Sequence, residues 1–253
     1  MIDLHCHIIP QVDDGSPSEA VSLAMARAAA AGGVAAVVCT PHMEAGYRTR
    51  EDLARMDAAR LRLQELLDGE GIALTLLPGA EWLLTPELPE VVAAGAGRLG
   101  GGSSRAFLFE LSPYMQPGLA DAFVSEAVRG AGLVPVLAHP ERHGAVNAGN
   151  ARALLGRLVE RGAVMQVTAG SLTGMFGKRV QGTAEAIALA FADRLVLASD
   201  AHDDRVRVPG LAAGYAALER CIGPEATEAA RQRAWKLAGL EGGDGPDGGD
   251  GTA

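Results

Sequence analysis

His5 and His7 stand one residue apart in the opening stretch Met1-Ile-Asp-Leu-His5-Cys-His7-Ile-Ile-Pro10. In an extended strand, side chains alternate faces, so both imidazoles point one way while Leu4, Cys6 and Ile8 point the other. Two imidazoles on one face can grip one metal ion, and a carboxylate from the turn that follows, Asp13 or Asp14, would add a harder oxygen donor. Alone, a His-x-His pair is as readily a strand-edge decoration. Here it is joined by His42, Glu81, Glu110, His139, Asp200 and His202, each at or just beyond the end of a short apolar run, and five of the chain's six histidines fall in this set. A single strand-end His or Glu is more often a hydrogen-bonded structural group. Nine candidate residues, counting Asp14, at corresponding ends would instead crowd carboxylates into one mouth, which is costly without cations.

The elements that must position them are seven apolar runs, beginning at Ile2, Val34, Ile72, Ala106, Leu133, Ala163 and Leu195, with helical patterns between them. Alternation of this kind predicts a parallel sheet, and function gathered at strand ends is the habit of the β/α barrel. The expected fold is therefore an α/β, distorted seven-stranded (β/α)7 TIM-like barrel rather than an open doubly wound sheet. Ser16-Pro17-Ser18-Glu19 predicts a helix start, with Ser16 as cap, Pro17 at the first helical position and Glu19 closing a capping box. Gly32-Gly33 would stop that helix. A second helix is expected from Thr49 to about Leu67, preceded by a solvated loop with Tyr47 and Arg48, and two more within residues 210–240. Residues 1–240 form one expected domain; residues 241–253, nearly all Gly and Asp, read as a flexible tail.

Composition narrows the chemistry. Hydrophobic residues make up 48% of the chain and aromatics only 4%, so the core must be built from Ala, Val and Leu. A formal charge of -9 argues against a surface that tracks nucleic-acid phosphates. No long apolar stretch predicts membrane insertion, and no basic leader precedes the first run, which points to the cytoplasm. Cys6, Cys39 and Cys221 are odd in number and widely spaced, fitting reduced thiols, with Cys6 in the core. None begins a Cys-x5-Arg phosphate loop, since the position six beyond each is Val12, Ala45 or Thr227. No Gly-x-Gly-x-x-Gly or Walker loop follows any run.

The ordered set His5-Cys-His7 with Asp13-Asp14-Gly15, Thr40-Pro41-His42, Gly79-Ala-Glu81, Phe109-Glu110-Leu, Ala138-His139-Pro-Glu-Arg142, Gln166 to Gly177, and Ser199-Asp200-Ala-His202 with Arg207 resembles the polymerase-and-histidinol-phosphatase (PHP) superfamily. The nearer likeness is to the bacterial tyrosine-protein phosphatases of capsular and exopolysaccharide gene clusters, over about residues 1–209. The resemblance implies the PHP fold and three divalent metal ions, usually manganese, with zinc or iron as alternatives. Carried over residue by residue, the first ion would take His5, His7, Glu81 and Asp200, the second Glu81, Glu110 and His139, and the third Asp14, His42 and His202. Asp14 is preferred to Asp13 because it abuts Gly15. A hydroxide between the first two ions would attack the phosphoester directly, with Arg142 and Arg207 handling the phosphate, and His143 reads as a rim residue. The implied substrate is a phosphotyrosine protein, the tyrosine-rich tail of a bacterial kinase controlling polysaccharide export. A small-molecule phosphatase acting on histidinol phosphate, or a non-catalytic metal-binding regulatory module, are the other readings, and the oligomeric state is left open.

Overall fold

The structure is a computed structural model that describes residues 1–44, 50–102 and 104–240. Tyr47, Arg48 and the Gly/Asp-rich tail lie outside the described residues.

Nine strands are present among the described residues, not seven: β1 Ile2–Cys6, β2 Ala36–Cys39, β3 His42–Glu44, β4 Thr75–Leu77, β5 Glu81–Leu83, β6 Ala106–Glu110, β7 Val134–Ala138, β8 Val164–Thr168 and β9 Leu195–Ala198. The surplus has a physical cause. The run from Val34 is cut at Thr40-Pro41 into β2 and β3, and the run from Ile72 at Pro78-Gly79 into β4 and β5. Proline has no N–H for a ladder, so each run stops, bends and resumes. Its halves join different sheets: β1-β2-β4 form one, β3-β5-β6-β7-β8-β9 the other. Every pairing is parallel, as the alternation predicts.

The sheets are also tied at the end of β1. His7 donates its backbone N–H to the Ala201 carbonyl at 2.9 Å, and Asp200 donates to the His5 carbonyl at 2.8 Å. The buried Asp3 carboxylate accepts from Ser199 N at 2.9 Å. These contacts join β1 to the chain leaving β9. The β1–β2 register shifts between Asp3 and Cys6. An extra residue there turns His5 to the site although Leu4, its neighbour, packs in the core shared with β2, β6, β7 and β9.

The helices are α1 Glu19–Ala31, α2 Arg50–Gly69, α3 Leu88–Ala93, α4 Ala120–Ala131, α5 Ala151–Glu160, α6 Ala169–Leu172, α7 Gly177–Ala190, α8 Leu211–Ile222 and α9 Pro224–Leu237. The cap of α1 is Ser18, whose hydroxyl accepts from Val21 N at 3.3 Å. Ser16, the expected cap, instead bonds the Ser18 carbonyl and the Ser22 hydroxyl. Gly32 ends the helix as expected.

Both faces of the strands are buried. One face packs against helices; the other joins Ile2, Leu4, Val38, Leu108, Val136 and Val196 in a smaller aliphatic core with Ala234 and Leu237 of α9. Three phenylalanines cluster: Phe123 meets Phe107 and Phe109 edge-on, and those two tilt against each other, with centroids 5.2 to 6.0 Å apart.

Gly214 lets α8 lie against α6, because a Cβ there would fall 2.4 Å from Ala169 Cβ. Gly182, inside α7, faces open space. Urea unfolding should therefore show Gly214→Ala losing about 1–3 kcal/mol and Gly182→Ala gaining about 0.5–1 kcal/mol. Equal stability of the two variants would contradict this packing.

Candidate metal centre

Two of the candidate ligands stand just past the proline breaks, in a register that the strands keep across them. His42 opens β3 and Glu81 opens β5, so both sit in the middle of interrupted runs, and the register pairs them directly. Glu110 ends β6, one strand further on. His5 ends β1 with His7 just beyond, His139 follows β7, and Asp200 and His202 follow β9. The loop carrying Asp13 and Asp14 folds back over His7, with Ser16 N bonded to the His7 carbonyl at 3.0 Å. Only glycine permits that approach at position 15, where a Cβ would lie 2.3 Å from the same carbonyl.

Glu81 is fully buried and central. Its Oε1 meets His139 Nε2 at 2.8 Å. Its Oε2 lies 3.2 Å from His5 Nε2, 3.3 Å from His7 Nε2 and 3.1 Å from His42 Nδ1. Asp200 works in two directions. Its Oδ1 lies 3.3 Å from His5 Nε2 and 3.6 Å from both His7 and His202, while its Oδ2 accepts from Arg142 and, at 2.6 Å, from Arg207. His139 and Asp200 both hold the left-handed backbone region, at φ 33° and 52°. Side chains with a Cβ rarely tolerate this outside functional sites.

All nine expected ligands come together. Their donor atoms form four overlapping sets, each with every atom within 4.8 Å of the others: His7-Asp14-His42-His202, His5-His7-Glu81, His5-His139-Asp200 and His42-Glu81-Glu110. The expected trio of Glu81, Glu110 and His139 is not one of these sets; Glu110 reaches Glu81 beside His42, and His139 joins His5 and Asp200. Asp14 faces His42 at 3.3 Å and His202 at 3.5 Å. Asp13 instead accepts from His7 Nδ1 at 2.8 Å and from His42 N at 3.0 Å, holding two candidate ligands from behind.

Three supporting residues had no role in the sequence reading. Gln166 holds His5 Nδ1 at 2.9 Å; as the one amide inside the apolar run Ala163 to Val167, it carried a usable signal. Buried Glu141 accepts from Thr168 N and Ser171 Oγ, pinning the turn that bears His139 and Arg142. Phe176 lies under the Arg142 guanidinium, 5.0 Å from it. That stack joins residues 34 apart, and no local pattern announces it. His143 bonds the Ser112 carbonyl and helps line a cavity of about 170 Å³ with Glu110, Leu111, Pro113, His139 and Arg142.

The electrostatics fit cations. Burial would push Glu81 up, but His5 and the hydrogen bond from His139 hold it well below the usual carboxylate range. Burial likewise opposes a proton on His7, yet Asp13 and Glu81 carry it up to about 10. Burial and the neighbouring His7 push His202 down to about 4, leaving its ring neutral. Among the buried polar atoms without a hydrogen-bond partner are two of the candidate donor atoms, Glu81 Oε2, despite three imidazoles around it, and His202 Nε2. Donors sharing one ion at about 2.0–2.2 Å sit roughly 3–3.5 Å apart. His5 Nε2 and His7 Nε2 lie 3.0 Å apart, and Glu81 Oε2 is within 3.3 Å of both. The donor set therefore suits divalent ions bound by nitrogen and oxygen.

Residues 1–233 match the family model for capsular polysaccharide synthesis proteins, CpsB/CapC. Tyrosine-protein phosphatase YwqE of Bacillus subtilis (strain 168) is 36% identical over 214 residues, covering 82% of this chain and 79% of the relative. Tyrosine-protein phosphatase CpsB of Streptococcus agalactiae serotype V is 27% identical over 231 residues, covering 89% of this chain and 92% of the relative. A solved structure from work on YwqE of Bacillus subtilis and CpsB of Streptococcus pneumoniae, described as metal-dependent tyrosine phosphatases, superposes with a TM-score of 0.82 at 32% identity, covering 96% of each chain.

With His7 protonated up to about pH 10 in the absence of ions, a divalent cation must displace that proton. Affinity should fall as pH falls, and uptake should release protons. Calorimetric titration of chelator-stripped protein with manganous chloride at pH 8 checks this; heats independent of buffer ionisation would contradict it. Glu81→Gln should weaken binding by about 10–100-fold or more.

Proposed function

The chain belongs to the CpsB/CapC family of capsular polysaccharide synthesis proteins, and from that premise we propose that it is a metal-dependent phosphatase that hydrolyses phosphotyrosine in proteins. The observation that carries the reading is Asp200, one of whose oxygens faces imidazoles while the other holds two guanidinium groups. A cation-binding cluster and a phosphate-binding pair thereby share one residue. The proposed substrate is a tyrosine kinase that controls capsule or exopolysaccharide synthesis. The proposed location is the cytoplasm; among the described residues no helix is long and apolar enough to cross a membrane.

The ligands in this reading are His5, His7, Asp14, His42, Glu81, Glu110, His139, Asp200 and His202, holding three divalent ions, with manganese favoured over zinc or iron. Bound cations would supply an acidified water at neutral pH and neutralise phosphate charge. The chain's own residues do the rest. Arg142 and Arg207, about a quarter exposed and aimed by Asp200, offer their free N–H groups to the phosphoryl oxygens. Asp13 and Gln166 fix the ring orientations of His7 and His5. A tyrosyl oxygen is a moderately basic leaving group and needs no dedicated acid. Water rather than a thiol attacks: Cys6 and Cys39 are buried, and burial pushes the Cys39 thiol up to about 12.

For the fold, we read the seven apolar runs as the staves of a distorted (β/α)7 barrel within a single domain of residues 1–240. The bonds from β1 to the chain after β9 and the core shared by both sheets support it.

Arg207→Ala should lower kcat/KM on a phosphotyrosyl peptide by about 10²–10³-fold with metal content unchanged by elemental analysis; metal loss would displace Arg207 from this role. His139→Ala should abolish turnover while the circular dichroism spectrum stays native. The phosphotyrosyl peptide should be preferred to histidinol phosphate, and the reverse preference would end the protein-phosphatase reading.

A further inference from the structure

The segment leaving β6 connects two cavities. Its first residues, Glu110 and Leu111, line the cavity beside His139 and Arg142. A tight turn follows, with Met115 N bonded to the Ser112 carbonyl at 2.9 Å. Met115 and Leu119 then form one wall of a groove of about 280 Å³, opposite Pro86 and Pro89 and floored by Leu84 and Phe123. No charged side chain lines it. Ligand cavities commonly span about 300–1,000 Å³, so this groove suits one large apolar side chain rather than a cofactor. Tyr114 at the turn is 95% exposed and Leu119 is 70% exposed. Apolar surface left open beside a polar site marks a place of contact.

The groove adjoins the first cavity. Leu84, which lines the groove, donates its backbone N–H to the carbonyl of Glu110 at 2.9 Å, and Met115 is five positions beyond Glu110. A chain spans at most about 3.3–3.6 Å per residue, so Met115 lies within the reach of about five extended residues from Glu110. Pro86, Pro89, Pro113 and Pro117 stiffen both walls, which lowers the ordering cost of binding. A lone phosphorylated metabolite would leave this surface unused, whereas a peptide held by its phosphotyrosine extends beyond the site far enough to reach it.

We propose that this groove between α3 and α4 seats an apolar side chain of the substrate peptide, three to five residues from the phosphotyrosine, and thereby selects among phosphotyrosyl sequences. The proposal rests on the phosphatase reading above and names the part of the peptide it recognises.

The test uses the full chain loaded with manganese, phosphotyrosyl peptides that differ only in Leu, Ser or Asp at those positions, and para-nitrophenyl phosphate, which has no flanks. The Leu peptide should show about tenfold higher kcat/KM than the Ser and Asp peptides, through KM. Leu119→Asp should erase that advantage and leave para-nitrophenyl phosphate turnover unchanged; Leu119 is exposed just before α4, where a negative charge suits the helix dipole. Equal kcat/KM for the three peptides, or an equal loss on peptide and para-nitrophenyl phosphate in the variant, would overturn the groove's role while the phosphatase reading stands. Failure of the wild type to hydrolyse either kind of substrate would overturn both.

Discussion

A carboxylate with no solvent exposure, Glu81, lies against four imidazoles, and the placement of the surrounding strands is what makes that possible. Taking a charge out of water costs several kcal/mol unless partners replace the lost hydration. Here they come from β3, the parallel neighbour of β5, from the chain after β7 in the same sheet, and from the end of β1 in the other sheet. Pro41 and Pro78 interrupt the ladders without changing the register: β2 pairs β4 at the same offset as β3 pairs β5, so His42 faces Glu81 past both breaks.

The carboxylate at the other side, Asp200, explains why the site has two chemistries. Its left-handed backbone directs the chain sharply out of β9. One carboxylate oxygen is thereby left to the imidazoles and the other to Arg142 and Arg207. His139, strained in the same sense, is held by Glu141, two residues on, through β8 and α6. Such backbone strain persists only where surrounding bonds over-determine it. The buried bonds of Glu141 to Thr168 and Ser171, and of Asp3 to Ser199, do so beside His139 and Asp200.

Legibility in the sequence followed the range of the interactions involved. Strand ends carrying His, Glu or Asp were readable because a charged or titratable group interrupts an apolar run, and all nine such residues converge. The parallel pairing and the terminal helices were readable from alternation. The strand count was not, because a proline between apolar residues looks like the end of a run whether the chain stops or changes sheet. The cap of α1 was misplaced by two residues because Ser16 and Ser18 both precede the helix, and only tertiary contact engages Ser16 with Ser22. Asp13 and Asp14 differ solely in which way the loop turns them, a matter settled by Gly15 folding against His7.

The centre and its rim obey different constraints, and this bears on what each can specify. All the candidate ligands but Asp14 and His202 stand on a strand or within two residues of one, where parallel pairing fixes the backbone. The walls of the groove are loop residues and helix starts, from Leu84 to Pro89 and from Met115 to Phe123. Their side chains could change without disturbing Glu81 or Asp200, because neither carboxylate touches them. Chemistry is thus fixed by the ladder and selection by the loops. The two meet at Glu110, whose side chain faces His42 while its backbone carbonyl holds the groove floor.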